Sequence, residues 1–174
     1  MRLIAHRGNL NGPNPLVEND PQRITYCIDE GYDVEIDVRY DHHTNMLWLG
    51  HDEPQQAVSI KYLQESNLWC HAKSFNALEA MIVHGIHCFF HNTDNYTITS
   101  RGWIWAYPGQ PGGKYTIAVH PEKLDPTEVE KFAGLTENIE YTSEEDFREK
   151  VETIKEVTKT TTPSQPSTRL NHFY

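Results

Sequence analysis

The chain has 174 residues, enough for one domain that buries a core without disulfides or a structural metal. Its 15 basic and 25 acidic residues give a net charge of −10, which argues against nucleic acid or an anionic membrane as a main partner. No apolar run reaches the ~20 residues of a membrane span or suits a signal peptide, and three cysteines without a paired motif indicate a reduced, cytoplasmic setting.

The first part of the chain predicts a strand–helix–strand unit. Residues 2–6 form a short apolar strand, and a loop rich in Asn, Gly and Pro follows it. Asp20 is suited to cap a helix that has Pro21 at its first position, and Gly31 ends that helix. Its apolar stripe is Ile24, Cys27 and Ile28. A second strand over 33–38 comes directly afterwards, so the two strands are expected to be parallel.

Further strands and helices follow in alternation up to residue 91, and the first five strands are expected to be parallel and to neighbour one another in sequence order. Strands are predicted at 46–49, 68–73 and 87–91, and a helix at 59–67. A second helix has capping-box spacing at Asn76 and Glu79 and is stopped by Gly85. Its apolar stripe is Phe75, Leu78 and Ile82.

The second half of the chain gives weaker signals. Strands are predicted at 103–107 and 115–119, and the segment between them is too short for a crossover helix. Residues 143–157 form a charged helix with one apolar face, consisting of Phe147, Val151, Ile154 and Val157. Residues 1–157 are therefore expected to form a single domain, and 158–174 a Thr/Ser/Pro-rich, disordered tail.

The strand at 33–38 carries a pair of acidic residues. Glu35 and Asp37 share one face, with α-carbons about 6.6 Å apart. Two carboxylates this close repel each other unless a cation, a proton or a basic side chain lies between them. Taken alone, the pattern is more typical of a strand with one solvated face.

Four predicted strands end in polar residues of the kinds that bind ligands. They are His6 with Arg7, Glu35 with Asp37, His51 with Asp52, and His71 with Lys73. The carboxyl ends of strands in a parallel barrel share one rim, so these residues are expected to meet there. Paired carboxylates hold hard divalent cations, two histidines can act as acid and base, and Arg7 and Lys73 can neutralise oxyanions. This combination favours displacement at a phosphodiester.

The motifs also occur in the order of a known family. His6-Arg7-Gly8, Glu18-Asn19, the segment 31–38 and His51-Asp52 resemble the N-terminal motifs of glycerophosphodiester phosphodiesterases, which belong to the phospholipase C-like phosphodiesterases. The resemblance covers roughly residues 1–73. It implies a TIM-barrel fold, here a reduced or irregular α/β barrel with a trimmed second half, since a complete barrel needs about 250 residues.

The resemblance also implies roles for particular residues. His6 and His51 would be the acid–base pair, although which is the acid stays open. Glu35 and Asp37 would bind Mg²⁺, Mn²⁺ or Ca²⁺. His71 stands where the family has a glutamate, so it would be a third ligand or would only hydrogen-bond a metal-bound water or Asp37. The remaining roles are phosphate contacts for Arg7 and Lys73, and support of the first loop by Glu18 and Asn19.

The expected function is metal-dependent hydrolysis of a small phosphodiester. Which phosphodiester is cleaved and the oligomeric state stay open. One alternative is a non-catalytic barrel that binds a phosphorylated ligand, because the second half is trimmed. A weaker one is a carbohydrate-modifying enzyme that stacks a sugar on Trp103, Trp105 and Tyr107, although alternating aromatic residues on a strand are more often core.

Overall fold

The computed structural model describes residues 2–137. These residues form a ten-stranded mixed sheet and four short α-helices. The strands are β1 (Arg2–His6), β2 (Asp33–Asp41), β3 (Met46–Leu49), β4 (Gln56–Val58), β5 (Leu68–Ala72), β6 (Cys88–Phe89), β7 (Tyr96–Ile98), β8 (Ile104–Ala106), β9 (Thr116–Val119) and β10 (Gly134–Glu137). The helices are α1 (Pro21–Asp29), α2 (Ile60–Leu63), α3 (Phe75–Val83) and α4 (Pro126–Val129), with a 3₁₀ turn at Pro121–Lys123.

The predicted strand–helix–strand unit at the start of the chain is confirmed. The side chain of Asp20 accepts hydrogen bonds from the backbone N–H groups of Gln22 and Arg23, and Pro21 occupies the first helical position. After α1 the chain passes through Gly31 at φ +91°, a left-handed conformation that favours glycine. Strand β2 then pairs parallel to β1.

The centre of the sheet is a run of parallel strands in the order β6–β5–β2–β1–β10–β9–β8. Beyond the end of β1, the antiparallel hairpin β3–β4 continues along β2, so that Val38 pairs with both Leu49 and Ala72. Strand β7 adds antiparallel to β8. The run is strongly curled. Strands β6 and β8 stand at its opposite ends, yet the ring centroids of Phe89 in β6 and Trp105 in β8 lie only 4.6 Å apart.

The predicted TIM-like barrel is wrong. Among the described residues, β6 and β7 share no strand pairing, so the sheet does not close. Strand β3, expected to lie parallel between β2 and β5, runs antiparallel to β2 because only a short turn separates the two, and β5 pairs with β2 directly. A (β/α)₈ barrel places a helix after each strand, whereas here β6 leads to β7 and β8 to β9 without an α-helix.

The local predictions succeeded unevenly. The helix expected at 59–67 covers only Ile60–Leu63, capped by Ser59. Helix α3 is capped by Ser74 rather than by the predicted capping box. Two residues of its predicted apolar stripe are exposed, Phe75 by 69% and Ile82 by 51%, because the helix buries Ala77 and Met81 instead.

Three strands were not predicted. They are β4, β7 and β10, of three or four residues each. Strand β10 nevertheless lies between β1 and β9 in the middle of the sheet. The helix predicted at 143–157 and the tail at 158–174 lie outside the described residues.

Strand β2 separates two different environments. Val34, Ile36 and Val38 are completely buried in a core that includes residues of α1, α2 and α3. Glu35 and Asp37 alternate with them and face the concave side of the sheet. That side is filled by an aromatic-rich cluster of Ile4, Trp69, Phe89, Trp105 and Ile117. A third cluster, around Ala118, Phe132 and Leu135, packs against β8, β9 and β10 on the face opposite Ile117.

One buried histidine makes stability depend on pH. Burial lowers the pKa of His87 from 6.5 to about 4, with Arg101 and Arg2 contributing in the same direction and a backbone hydrogen bond opposing it. Its Nε2 lies 3.1 Å from the Thr99 hydroxyl, and its ring packs against Trp69. Between pH 6.5 and 4 the unfolded chain binds a proton that the folded chain does not. The contribution of neutral His87 to the free energy of unfolding is therefore fully present above pH 6.5, and it is lost as the pH falls from 6.5 to 4.

We therefore expect His87→Gln to remove a pH-dependent part of the unfolding free energy. The wild type should lose about 3 kcal/mol more than the variant between pH 7 and pH 4, at about 1.4 kcal/mol per unit of pKa shift. The measurement is urea unfolding at a series of pH values. The exposed His84, changed to Gln, is the control and should leave the slope unchanged. Equal slopes for His87→Gln and the wild type would contradict the account.

Candidate functional site

The carboxyl ends of the parallel strands surround one cavity. Its volume is about 480 Å³. Strands β1, β2 and β5 contribute polar residues from the predicted set, because parallel strands end at the same edge. The lining residues are His6, Arg7, Glu35, His51, His71, Lys73, His91, Asn92, Trp105, Tyr107, Pro108, Val119 and His120.

Asp37 lies beneath this cavity and is held by two neighbours. Its side chain is completely buried. Asn19 makes two hydrogen bonds to Asp37. Its Nδ2 donates to Oδ2 at 3.2 Å, and its Oδ1 accepts from the backbone N–H of Asp37 at 2.8 Å. Nε of Arg7 also lies 3.0 Å from Oδ2. Oxygen Oδ2 is therefore committed to the protein.

The loop after β1 brings these neighbours into place. Arg7 at φ +54°, Gly8 at +77° and Asn19 at +60° all adopt left-handed conformations, which turn the chain sharply at both ends of the loop. Glu18 accepts hydrogen bonds from the Arg7 guanidinium at 3.0 Å and from the Asn9 amide at 3.1 Å. In this structure Glu18 and Asn19 thus support the loop and do not line the cavity.

Glu35 is 1% exposed and faces the cavity. Its Oε2 accepts the backbone N–H of Arg7 at 3.3 Å and lies 3.6 Å from Nε2 of His6. Its Oε1 lies 3.7 Å from Nδ1 of His71. One carboxylate oxygen is therefore engaged with β1 and the loop after it, and the other faces β5.

His71 and Lys73 approach the second oxygen of Asp37. Nδ1 of His71 lies 3.3 Å from Asp37 Oδ1, and Nζ of Lys73 lies 3.4 Å from the same atom. Neither contact has hydrogen-bond geometry, so the buried Oδ1 has no hydrogen-bond partner. A buried carboxylate oxygen in this state is a natural ligand for a cation.

Three ligand atoms, one each from Glu35, Asp37 and His71, lie within 4.8 Å of one another. Two carboxylates and one imidazole form a donor set that suits divalent metals. Since one oxygen of each carboxylate already has protein partners, the atoms left to a metal are Glu35 Oε1, Asp37 Oδ1 and His71 Nδ1. These residues therefore fit a divalent cation.

The surroundings of the two carboxyl groups shift their pKa values in opposite directions. Burial, and then the charge of Asp37, raise the pKa of Glu35 to about 7, although His71, Arg7 and Lys73 oppose the shift. Burial acts in the same direction on Asp37. There it is outweighed by the interactions with His71, Arg7 and Lys73, which hold the pKa of Asp37 well below its usual value. Asp37 is thus the permanent anion, and a bound cation would also favour ionised Glu35.

The two histidines predicted to act as acid and base both line the cavity. His6 contacts Glu35, as described above. His51 is at the rim, where its Nδ1 lies 2.8 Å from Oδ1 of the exposed Asp52, and Arg39 donates a hydrogen bond to its backbone carbonyl. The structure brings them to one cavity, but this placement does not test their predicted roles.

The other side of the cavity is lined by residues that were not in the predicted set of polar strand ends. His91, Tyr107 and His120 come just after β6, β8 and β9. They form an aromatic and histidine-rich wall together with Trp105. The same strand-end rule would have found them, because each directly follows a predicted strand or ends one. Of the proposed sugar platform, Trp105 is buried against Phe89 and Trp69, and only Tyr107 is well exposed.

Part of the chain matches a known protein family. Residues 114–172, about a third of the chain, match the model of the T4-phage like capsid assembly scaffolding protein family. The structure describes the first part of this segment, 114–137, which contains β9, α4 and β10. No curated protein and no solved structure matches the chain.

This match corrects the functional interpretation of the sequence. The family that it supports is a scaffolding family and not a phosphodiesterase family, so the identification with glycerophosphodiester phosphodiesterases is wrong. The predicted phosphoric diester hydrolase is wrong for the same reason, as are the phosphorylated-ligand binder and the small-molecule phosphodiester partner. The N-terminal motifs describe strand-end chemistry that is present in the structure, but they did not identify the family.

Within residues 2–137, no helix has the length and apolarity needed to cross a bilayer.

We expect Asn19 to be a major source of stability for the site. Asn19→Ala removes both hydrogen bonds to Asp37 and places alanine at φ +60°, at a cost of about 3 kcal/mol. Asn19→Gly suits the backbone and loses only the hydrogen bonds, so it should cost less. Urea unfolding measures both. Asn14→Ala, at an exposed position of the same loop, should change stability by about 0.5 kcal/mol or less. Wild-type stability in both Asn19 variants would show that this residue does not hold Asp37.

Proposed function

We propose that this chain takes part in capsid assembly by binding capsid proteins. The observation that carries the proposal is the match of residues 114–172 to the scaffolding family. The match begins inside the folded domain, because β9 and β10 belong to the sheet and β10 pairs with β1. The match therefore includes two strands of the domain that carries the site. The role is structural rather than enzymatic.

The direct test is co-assembly of the full chain with the major capsid protein of a T4-like phage. Both purified proteins are mixed, and complexes are measured by sedimentation and shells by electron microscopy. Phe147→Glu and Ile154→Glu alter the apolar residues of the predicted stripe, and each is expected to weaken binding by about tenfold or more, as loss of a central contact does. Thr153→Glu, outside the stripe, is the control. No complex and no effect on shell formation would contradict the proposal.

A second function is favoured by a separate observation, the convergence of Glu35, Asp37 and His71. We propose that these residues bind a divalent cation, with Mg²⁺, Mn²⁺ and Ca²⁺ as the initial candidates. The ion would neutralise two buried carboxylates at neighbouring positions on one strand face, which otherwise repel each other. Because a ligand that binds only the folded chain stabilises it, the ion would stabilise the domain used in assembly.

Calorimetric titration of the full chain with Mn²⁺ tests the cation site. Glu35→Gln and Asp37→Asn should each weaken binding by about 100-fold or more, since even a residue that only supports a ligand costs 10- to 100-fold. Lys73→Gln should strengthen it about fivefold, because the ammonium group repels a cation at Asp37 Oδ1 by ~1 kcal/mol or more. Asp29→Asn, exposed on α1, is the control.

Circular dichroism shows whether each variant is folded. The cation site is excluded if Mn²⁺ binds folded Glu35→Gln and Asp37→Asn as tightly as the wild type. It is also excluded if the wild type binds none of Mn²⁺, Mg²⁺, Ca²⁺ and Zn²⁺. The buried carboxylates would then be neutralised by Arg7, Lys73 and His71 alone.

A further inference from the structure

We infer that His71 makes the cation site selective for ions that accept nitrogen ligands, such as Zn²⁺ and Mn²⁺, over Ca²⁺ and Mg²⁺. The inference rests on the proposed cation binding and adds the class of ion. It further assigns Nδ1 of His71 as the ligand atom. The backbone carbonyl of His91 fixes this choice.

The hydrogen-bond partner of Nε2 determines which ring nitrogen of His71 carries the hydrogen. Nε2 of His71 lies 3.2 Å from the backbone carbonyl oxygen of His91. A carbonyl oxygen can only accept a hydrogen bond, so Nε2 must carry the hydrogen. In the neutral ring, Nδ1 then has a free lone pair. Histidines that bind metals commonly donate their other N–H to a backbone carbonyl or a carboxylate in this way.

That lone pair faces two further acceptors. Nδ1 lies 3.3 Å from Asp37 Oδ1 and 3.7 Å from Glu35 Oε1. Three electron-rich atoms this close repel one another unless a proton, a metal ion or a basic side chain lies among them. The Lys73 ammonium lies 3.4 Å from Asp37 Oδ1 and, among the described residues, forms its ion pair with Asp37 alone, so it relieves the repulsion chiefly there. The other oxygen of each carboxylate is occupied, by the Arg7 backbone N–H for Glu35 and by the Asn19 amide for Asp37. The geometry therefore directs one donor atom from each of three residues to a common point.

The imidazole ring is also held in this orientation. It stacks on Phe89 with centroids 5.0 Å apart and planes 4° apart, and the two residues are paired between β5 and β6. A ring fixed by stacking on one face and by a hydrogen bond at Nε2 loses little freedom on binding an ion. This preorganisation favours a metal that uses the nitrogen.

The donor set then decides between ions. Ca²⁺ prefers six to eight oxygen ligands, and Mg²⁺ prefers an octahedron of oxygens and keeps several waters. Imidazole suits Zn²⁺ best among these ions. Mn²⁺ is bound mainly by oxygen ligands, but it accepts an imidazole nitrogen more readily than Ca²⁺ or Mg²⁺ does. A neutral imidazole also brings less negative charge to the site than a carboxylate would, so His71 attracts Ca²⁺ less strongly. The proposed consequence is binding of Zn²⁺ and Mn²⁺ at least tenfold tighter than that of Ca²⁺.

The experiment is calorimetric titration of the full chain with Zn²⁺, Mn²⁺, Mg²⁺ and Ca²⁺. The wild type should bind Zn²⁺ and Mn²⁺ at least tenfold tighter than Ca²⁺. His71→Glu should raise Ca²⁺ affinity relative to Mn²⁺, and His71→Ala should weaken every ion. His84→Gln, an exposed histidine, is the control. Circular dichroism reports the folding of each variant.

A second measurement does not depend on the variants. Nitrogen-15 NMR of histidine-labelled wild type should show, on addition of Zn²⁺, a metal-bound Nδ1 and a protonated Nε2 on His71. A ring protonated on both nitrogens in the presence of Zn²⁺ would overturn the inference, because His71 would then be a cation itself.

The outcomes separate the inference from the proposal beneath it. If no ion binds the wild type, both the cation site and the selectivity are wrong. If ions bind through Glu35 and Asp37 but the Mn²⁺ to Ca²⁺ ratio is the same in the wild type and His71→Glu, the site stands and the selectivity is wrong.

Discussion

The structure depends on the burial of Glu35 and Asp37 side by side within the sheet. Buried carboxylates are costly unless opposite charges and hydrogen-bond donors surround them. Here Arg7 and Lys73 supply the charges, and Asn19 supplies the hydrogen bonds. All of these groups come from the ends of β1 and β5 or from the loop after β1. Because β2 lies between β1 and β5, the order of the strands brings the neutralising groups to the two carboxylates.

The opposite face of β2 explains why this register is fixed. Val34, Ile36 and Val38 are completely buried against the helices, and each alternates with an acidic residue. A slip of one residue would drive the carboxylates into an apolar core and the valines into a polar cavity. Strand β2 is therefore held by pairing with β1, β5 and the β3 hairpin, and by the chemistry of both its faces.

Local patterns in the sequence predicted part of the fold and part of the site. The Asp20–Pro21 cap, the alternation in β2 and the polar strand ends gave the first helix, the face of Glu35 and Asp37, and most of one side of the cavity. That the sheet would stay open was not predictable, because its strand order depends on pairings between distant segments such as β1 with β10. Short strands like β4 and β7 carry little periodicity. The motifs around His6 and His51 reflect strand-end chemistry, which recurs on many folds and does not by itself identify a family.

The central claim is that a metal ion can occupy the point shared by Glu35, Asp37 and His71. Anomalous X-ray scattering from crystals of the full chain grown with Zn²⁺ tests it most directly. The account predicts a peak about 2.0–2.2 Å from Glu35 Oε1, Asp37 Oδ1 and His71 Nδ1. A map with no peak at this point, in crystals where Zn²⁺ is present and Lys73 still lies against Asp37 Oδ1, would contradict it.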